Sequence, residues 1–370
     1  MSQDGFDVVI VGAGIVGLAH ARAAAMRGKS VLVIDRDAQA NGASIRNFGF
    51  VTVTGQERGL VWQRAMRTSN IWSDLAGEAG IAIAHRGLLM VAQHQDACTV
   101  LDAFLETEMG AGCARLSAAE VASRLPFAPA AQGGLWSPHD LRVESRSAIP
   151  RLAKWLEQRW QVEFKRGVSV FEVGGGRVRT SIGDFAAETI IVCPGDDFTG
   201  LYPDLIAHHS LTRCKLQMLR LASPGYRLPG SVMSDLSLVR YLGYAALPES
   251  ADVGVRLKAE QPDHLAHGIH LIVVQSADGS LVVGDSHHYA ATPDPFASDT
   301  VDRLILDEFA AVLGAVPNVL ERWTGTYASG KDQCVIEAPE PGVRLVIVTS
   351  GSGASTSFAI AEDVIAEIYA

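Results

Sequence analysis

The sequence predicts an α/β protein of the α+β two-domain kind, in which a domain on a central parallel sheet is interleaved with one on a mixed or antiparallel sheet. Three observations carry this expectation. An apolar run enters a glycine turn at Asp7-Val8-Val9-Ile10-Val11-Gly12-Ala13-Gly14-Ile15-Val16-Gly17, followed by Val31-Leu32-Val33-Ile34-Asp35. A second strand–glycine–helix unit, Leu345-Val346-Ile347-Val348-Thr349-Ser350-Gly351-Ser352-Gly353, lies more than 300 residues later. From Lys215 to about Gly284 the pattern changes to strands separated by Pro and Gly, with no helix between many of them. The first unit is Rossmann-like, and the last stretch belongs to a different layer.

Val8 to Val11 form a short apolar run of the kind buried on both faces of a parallel sheet. Gly12 permits the tight turn, Gly14 lets backbone approach a pyrophosphate, and Gly17 allows helix to pack on strand. The Ala-rich segment Ile15 to Arg27 predicts a helix ended by Gly28, and its unpaired N-terminal amides attract phosphate charge. Asp35, 18 residues after Gly17, is placed to accept ribose hydroxyls and disfavours a phosphorylated ribose. Beyond it, Gln56 to Gly77 reads as a helix with Leu60, Arg64, Arg67 and Ile71 at helical spacing, then Gly87 to Ala92 as a strand. Asp96 to Met109 reads as another helix, Ser117 facing Glu120 as a helix cap, and Gly133 to Pro138 as a turn. Ser147 to Trp160 is helical. Val162 to Phe171 and Arg177 to Ser181 form a strand pair joined by Gly174-Gly175-Gly176. Thr189 to Gly195 is a buried strand whose closing turn, Cys193-Pro194-Gly195, is expected beside the cofactor. The terminal helix opens at Gly353 to Thr356, with Ile360, Val364 and Ile368 on its buried stripe.

Two glycine turns at opposite ends of the chain point to a single long cofactor held by both, which favours FAD over NAD. A chain of 370 residues divides into about two domains, here 1–85, 140–214 and 321–370 for the cofactor and 86–139 and 215–320 for substrate. A composition of 48% apolar and 19% charged residues is globular, and the net charge of −10 argues against nucleic acid. Five scattered cysteines give neither a disulfide framework nor a zinc site, so a reducing cytoplasm is expected. No membrane span is expected, and Asp4, Asp7 and the interrupting glycines argue against a signal peptide. His264, His267 and His270 recur by three without a fourth ligand, so no metal is expected.

The chain resembles the FAD-dependent family that includes D-amino-acid oxidase, glycine oxidase and sarcosine oxidase. The resemblance covers nearly the whole length. It rests on Gly12 to Gly17, Asp35-Arg36, Gly42-Ala43-Ser44 and the run Gly351-Ser352-Gly353-Ala354-Ser355-Thr356-Ser357-Phe358. Four further stretches resemble a bacterial subgroup associated with aminophosphonate catabolism: Gly42 to Gly49, Leu135 to Glu144, Thr212 to Met218 and Gly284 to His287. This resemblance implies conversion of 2-aminoethylphosphonate, or its N-methyl forms, to phosphonoacetaldehyde. By position it also implies Ala43 and Ser44 near the pyrophosphate, Asn47, Phe48 and Gly49 near the isoalloxazine, and Val168 at the adenine end. Gly351 to Ser357 would cover the pyrimidine edge and ribityl chain.

One departure bears on substrate. The glycine oxidase branch has a Trp-x-Gly-x-Arg-Pro stretch whose arginine pairs with the substrate carboxylate, whereas here the stretch is Trp323-Thr324-Gly325-Thr326-Tyr327-Ala328. Tyrosine in place of arginine removes a bidentate anchor. The covalent flavin cysteine of sarcosine oxidase has no match near Tyr327, so FAD is expected to be non-covalent. A phosphonate dianion needs several cationic donors. Arg46 is the first candidate, followed by Arg213, Lys215 and Arg240, with Tyr241 and Tyr327 as hydroxyl donors. Lys215 alternatively sits by the flavin and promotes reaction with oxygen. His287, read as ending a strand, is a candidate acceptor of the amine proton. No second GxGxxG houses a nicotinamide, so O2 is the expected electron acceptor, giving H2O2; a dehydrogenase is the alternative. Oxidation of glycine, sarcosine or a D-amino acid is the second reading, and a flavin subunit needing a partner chain the third. Monomer and homodimer both stay open.

Overall fold

The computed structural model describes residues 5–129 and 131–370. Asp4 lies outside the described residues. The chain runs β1 (Phe6–Val11), α1 (Ile15–Ala25), β2 (Val31–Asp35), β3 (Phe50–Val51), α2 (Leu60–Glu78), β4 (Ile83–Ala92) and α3 (Gln95–Leu105). It continues with β5 (Ala114–Ser117), α4 (Ala118–Arg124), β6 (Gly133–Val143), α5 (Ser145–Trp160), β7 (Glu163–Arg166), β8 (Val170–Gly174), β9 (Arg177–Thr180) and β10 (Gly183–Val192). Next come α6 (Pro203–His208), β11 (Thr212–Leu221), β12 (Ser231–Met233), α7 (Leu242–Ala245), α8 (Ser250–Glu260), α9 (Pro262–Ala266), β13 (Ile272–Gln275) and β14 (Leu281–Gly284). The last elements are β15 (His288–Ala290), α10 (Asp299–Leu313), β16 (Val319–Glu337), β17 (Val343–Ser350) and α11 (Gly353–Ile368).

Five strands form the parallel sheet, in the order β17–β10–β1–β2–β7. Val8, Val9, Ile10, Leu32, Val33 and Ile191 are fully buried, as both-face burial in a parallel sheet requires. β10 separates β17 from β1, so the two glycine turns leave the same end of one sheet two strands apart. Helices α1 and α11 pack together on that sheet, joined by an Arg22–Glu362 pair at 3.0 Å. α2 packs on α11 through Arg64–Asp363 at 3.0 Å and the Trp72 indole donating to the Ala354 carbonyl at 2.9 Å.

The second sheet runs β16–β11–β14–β13–β12–β4–β6–β5, antiparallel except for β12 beside β4. β16 is 19 residues long. Its first half pairs with β11 and its second with β17, so one strand ties the layers together. α3, α8 and α10 cover the second sheet around a core including Leu101, Phe104, Leu257, Ile305 and Phe309.

Several sequence expectations need correction. α2 begins at Leu60 rather than near Gln56, because Gly55 and Gly59 take φ of 88° and 87°, outside helical space. α3 stops at Leu105; the Thr107 hydroxyl bonds the Phe104 carbonyl and the Met109 amide, competing with the helix. Gly133 to Pro138 is strand, not turn. A Cβ on Gly133 would lie 2.9 Å from the Leu116 carbonyl oxygen, and one on Gly134 would lie 2.6 Å from that of Met90. These glycines therefore serve close strand pairing, not chain reversal. Val162 to Phe171 is broken at Gly167, φ 67°, so β7 joins the parallel sheet while β8 and β9 form the expected hairpin. Between β11 and β13 lies α8, whose amphipathic signal rests on little beyond buried Val253 and Leu257.

Candidate active site

A cleft of about 700 Å³ runs between the layers, from the β1–α1 turn to the second sheet. Its nucleotide end is built by backbone. Gly12, at φ 107°, packs so tightly that a Cβ would lie 2.4 Å from the Cys193 carbonyl oxygen, and a Cβ on Gly17 would lie 1.9 Å from the Gly12 carbonyl oxygen. Only glycine fits either place. α1 opens at Gly14 with no side-chain cap of its own; the Ser44 hydroxyl, 2.9 Å away, accepts the Ile15 amide. The other amides of that first turn face the cleft as an anion site. Asp35 accepts the Ala13 amide at 2.6 Å and the Asp37 amide at 2.8 Å, one on each oxygen. Each oxygen keeps a lone pair for a ribose hydroxyl.

Most of the expected cofactor residues line this cleft. Gly12, Gly14, Ile15, Val16, Gly17, Asp35 and Arg36 form one end, with Ala43, Ser44, Arg46, Asn47 and Phe48 above it. Val168, Cys193, Pro194 and Gly195 form one wall, and Gly351, Ser352, Gly353, Ala354 and Ser355 another. Gly353, Ala354 and Ser355 open α11 on this wall, so a second helix N-terminus, with no acidic residue in its first turn, meets the same space. Four residues act from behind the lining. Ala13 supplies the amide held by Asp35. Gly49, at φ 68°, turns the loop against β6, where a Cβ would lie 1.8 Å from the Val143 carbonyl oxygen. Thr356 and Ser357 turn their hydroxyls back onto the Ser352 and Gly353 carbonyls. The 46–49 loop is braced from beneath: Asn47 accepts the Gly49 amide and the Ser145 hydroxyl, both at 2.7 Å, and Arg142 donates to the Phe48 carbonyl at 3.2 Å.

The arginines and lysine separate by partner. Arg46 and Arg240 line the cleft, and neither is in an ion pair among the described residues. Arg46 donates to the Asn41 side chain at 2.9 Å and Arg240 to the Tyr289 hydroxyl at 3.0 Å. Arg213 is consumed structurally, donating to the Asp196 and Ala291 carbonyls and stacking on Phe198 at 4.7 Å. Lys215 is not brought to the cleft. On β11, Leu216 and Met218 face it, so strand alternation turns Lys215 away to Asp294 at 2.9 Å and the Phe296 carbonyl at 2.8 Å.

Tyr241 and Tyr327 both line the cleft, and burial pushes both phenols above their ordinary range. The Tyr327 ring lies against Gly351, whose Cβ position is 3.1 Å from it. His287 precedes β15 instead of ending a strand, and the structure groups it with two residues that spacing did not unite. His270 Nε2 is 3.2 Å from Asp285 Oδ1, and His287 Nε2 is 3.7 Å from Oδ2. The imidazoles stack at 5.2 Å, all three side chains are buried, and all three residues line the cleft. Asp285-x-His287 was the available signal, since residues two apart in extended chain share a face. Its partner His270 comes from the far side of α9 and shows no such signal. The regular His264, His267, His270 series does not gather: His264 bonds the Leu304 carbonyl and His267 meets His288 at 2.9 Å.

A parallel-sheet cleft with two helix N-termini and room for an extended ligand defines a flavin-dinucleotide enzyme site. The glycine cradles and the Asp35 lone pairs fit FAD. The chain belongs to the DAO family, FAD dependent oxidoreductase, whose pattern matches residues 7–367. It is an FAD-dependent oxidoreductase. No curated protein sequence matches the chain. Among solved structures it is similar to glycine oxidase from Bacillus cereus, 17% identical with a TM-score of 0.78, covering 98% of this chain and 95% of that one. It is also similar to L-alpha-glycerophosphate oxidase from Mycoplasma pneumoniae with FAD bound, 17% identical at TM-score 0.76, covering 99% and 95%. Iminodiacetate oxidase from a Chelativorans species is 19% identical at TM-score 0.72, covering 98% and 95%.

Proposed function

We propose that the chain oxidises a small anionic amine, 2-aminoethylphosphonate or its N-methyl derivative, to phosphonoacetaldehyde and the released amine. O2 is the second substrate and H2O2 the product, so amine, O2 and water balance aldehyde, free amine and peroxide. Bound FAD supplies the hydride acceptor. The observation that carries the reading is the pair Arg46 and Arg240, cations that line the cleft with no carboxylate partner among the described residues. With Tyr327 in place of the branch's arginine, they would meet a compact dianion from two sides. Tyr241 adds a hydroxyl to the cleft, and Leu216, Met218 and Phe48 give apolar walls that exclude water from the carbon losing hydride.

FAD is held non-covalently in this reading. Cys193 is the cysteine among the lining residues, and burial pushes its thiol up, away from the nucleophilic thiolate. Peroxide release measured across 2-aminoethylphosphonate, its N-methyl form, glycine, sarcosine and D-alanine tests the substrate. The phosphonates should give the highest kcat/KM; higher values for any carboxylate would install the glycine/sarcosine/D-amino-acid oxidase reading, which the likeness to glycine and iminodiacetate oxidases favours. Turnover by the single purified chain is also expected, and a need for a second protein would favour the subunit reading.

A further inference from the structure

Asp285 is a buried carboxylate whose Oδ1 has no hydrogen-bond partner among the described residues. An ion so placed is costly unless a cation completes it. His270 Nε2 lies 3.2 Å from that oxygen without the alignment of a hydrogen bond, and the Arg240 charge acts on the carboxylate without pairing with it. His287 sharpens the anomaly. Its Nδ1 is 2.8 Å from the Gly268 carbonyl, which only accepts, so Nδ1 carries the hydrogen and Nε2 of the neutral ring presents a lone pair. That lone pair faces Asp285 Oδ2 at 3.7 Å, beyond hydrogen-bond reach. Two acceptors thus converge on one point of the cleft wall with no donor between them. A protonated primary or secondary amine carries at least two N–H donors and a positive charge, which is the complement.

We propose that Asp285 and His287 form the site that binds the substrate's ammonium group and removes its proton, with His270 as a positioning residue. This rests on the amine-oxidation reading but not on the identity of the substrate's anion. The ammonium N–H bond breaks, a new N–H bond forms at His287 Nε2, and the imidazolium is balanced by Asp285. This leaves a neutral amine whose lone pair is free for the oxidation that bound FAD would supply. Burial pushes the free His287 ring down to about 3, so it enters the cycle neutral, and it can hold the transferred proton only through the opposing charge of the adjoining Asp285 carboxylate. Besides Asp285, the groups facing it are His270, Arg240 and Tyr327, while Tyr241 and Cys214 act on Asp285 and Tyr289 holds Arg240.

The test uses the FAD-loaded enzyme and two half-ligands, ethylammonium and methylphosphonate, each titrated against the flavin absorbance. Ethylammonium should perturb the wild-type spectrum and compete with the amine substrate. Asp285→Asn should weaken ethylammonium at least 10-fold while leaving methylphosphonate within about two-fold, following the size of charge-assisted hydrogen bonds. In His287→Gln, kcat/KM should rise about 10-fold per pH unit below the substrate's own pKa, because only free amine then reacts. Wild-type-like ethylammonium binding in Asp285→Asn, or an unchanged pH profile in His287→Gln, would overturn the site. So would failure of ethylammonium to bind wild type, a result independent of how either variant folds. One divalent metal per chain in the purified protein would also overturn it, since the three ligand atoms lie within 4.8 Å and would then be metal ligands. A carboxylate-preferring enzyme that still loses ethylammonium in Asp285→Asn would sink the phosphonate reading alone.

Discussion

Arg240 carries the sharpest consequence for substrate. It donates to Tyr289, lines the cleft and forms no ion pair among the described residues, so although the Asp285 carboxylate acts on it from a distance, its donors can still meet a ligand. Arg240→Ala should raise KM for an anionic amine about 10- to 100-fold, with a smaller change in kcat, as expected for about 1.5–3 kcal/mol of charged hydrogen bonding. Steady-state peroxide assays read this directly, and an unchanged KM would place the anion elsewhere. Tyr327→Arg should shift kcat/KM toward glycine or sarcosine over the phosphonate; no shift in the ratio would show that position 327 does not set the anion. Sequence put Arg46 first for its place beside Asn47 to Gly49, and made Arg240 visible only in a list with Arg213 and Lys215. What sorts them is partnership: Arg213 satisfies two carbonyls, and Lys215 sits on the far side of β11. Asp285 went unrecognised because its meaning depends on His270, which reaches it through tertiary packing.

At the scale of elements, the β1–α1 unit was legible nearly residue by residue, because a dinucleotide turn demands glycine at fixed places. Gly17→Ala should abolish stable FAD loading, since the added Cβ would lie 1.9 Å from the Gly12 carbonyl oxygen. The visible flavin band of the purified variant reports it, and full loading would refute the close-packing role. The Gly133-Gly134 pair misled for the same physical reason: glycine marks close backbone approach as well as turns, and β4 and β5 supply the approach here. The second sheet was harder to read. Its inner strands β12, β13 and β14 are only 3, 4 and 4 residues long, α8 has a narrow apolar stripe, and β12 meets β4 from a distant part of the sequence, so no local pattern encodes the pairing.

For the molecule as a whole, stability should fall on acidification through a residue remote from substrate. His20 lies fully buried in α1, bonded through Nδ1 to the Val16 carbonyl at 2.7 Å, and burial pushes its ring down to about 4. Its folded pKa is depressed, so the unfolded chain takes up the proton first. The neutral form's contribution is complete above about pH 6.5 and is lost as pH falls from there toward 4, at about 1.4 kcal/mol per unit. Between pH 7 and 5 the cost is about 2 kcal/mol, and His20→Leu should show a correspondingly smaller fall in Tm over that range. Equal falls would mean that His20 is not the buried neutral group described.

The two glycine turns could be paired from sequence as ends of one site, yet their relation is a property of the assembled sheet, where β10 alone separates β1 from β17. The whole account requires FAD to be held between α1 and α11. Titrating flavin-free protein with FAD, followed by the change in the oxidised-flavin band at roughly 450 nm relative to free FAD, tests this most directly. Saturation at one FAD per chain, with all of it released on denaturation, is the predicted result. A chain that gives no saturable change from the spectrum of free FAD would contradict the account.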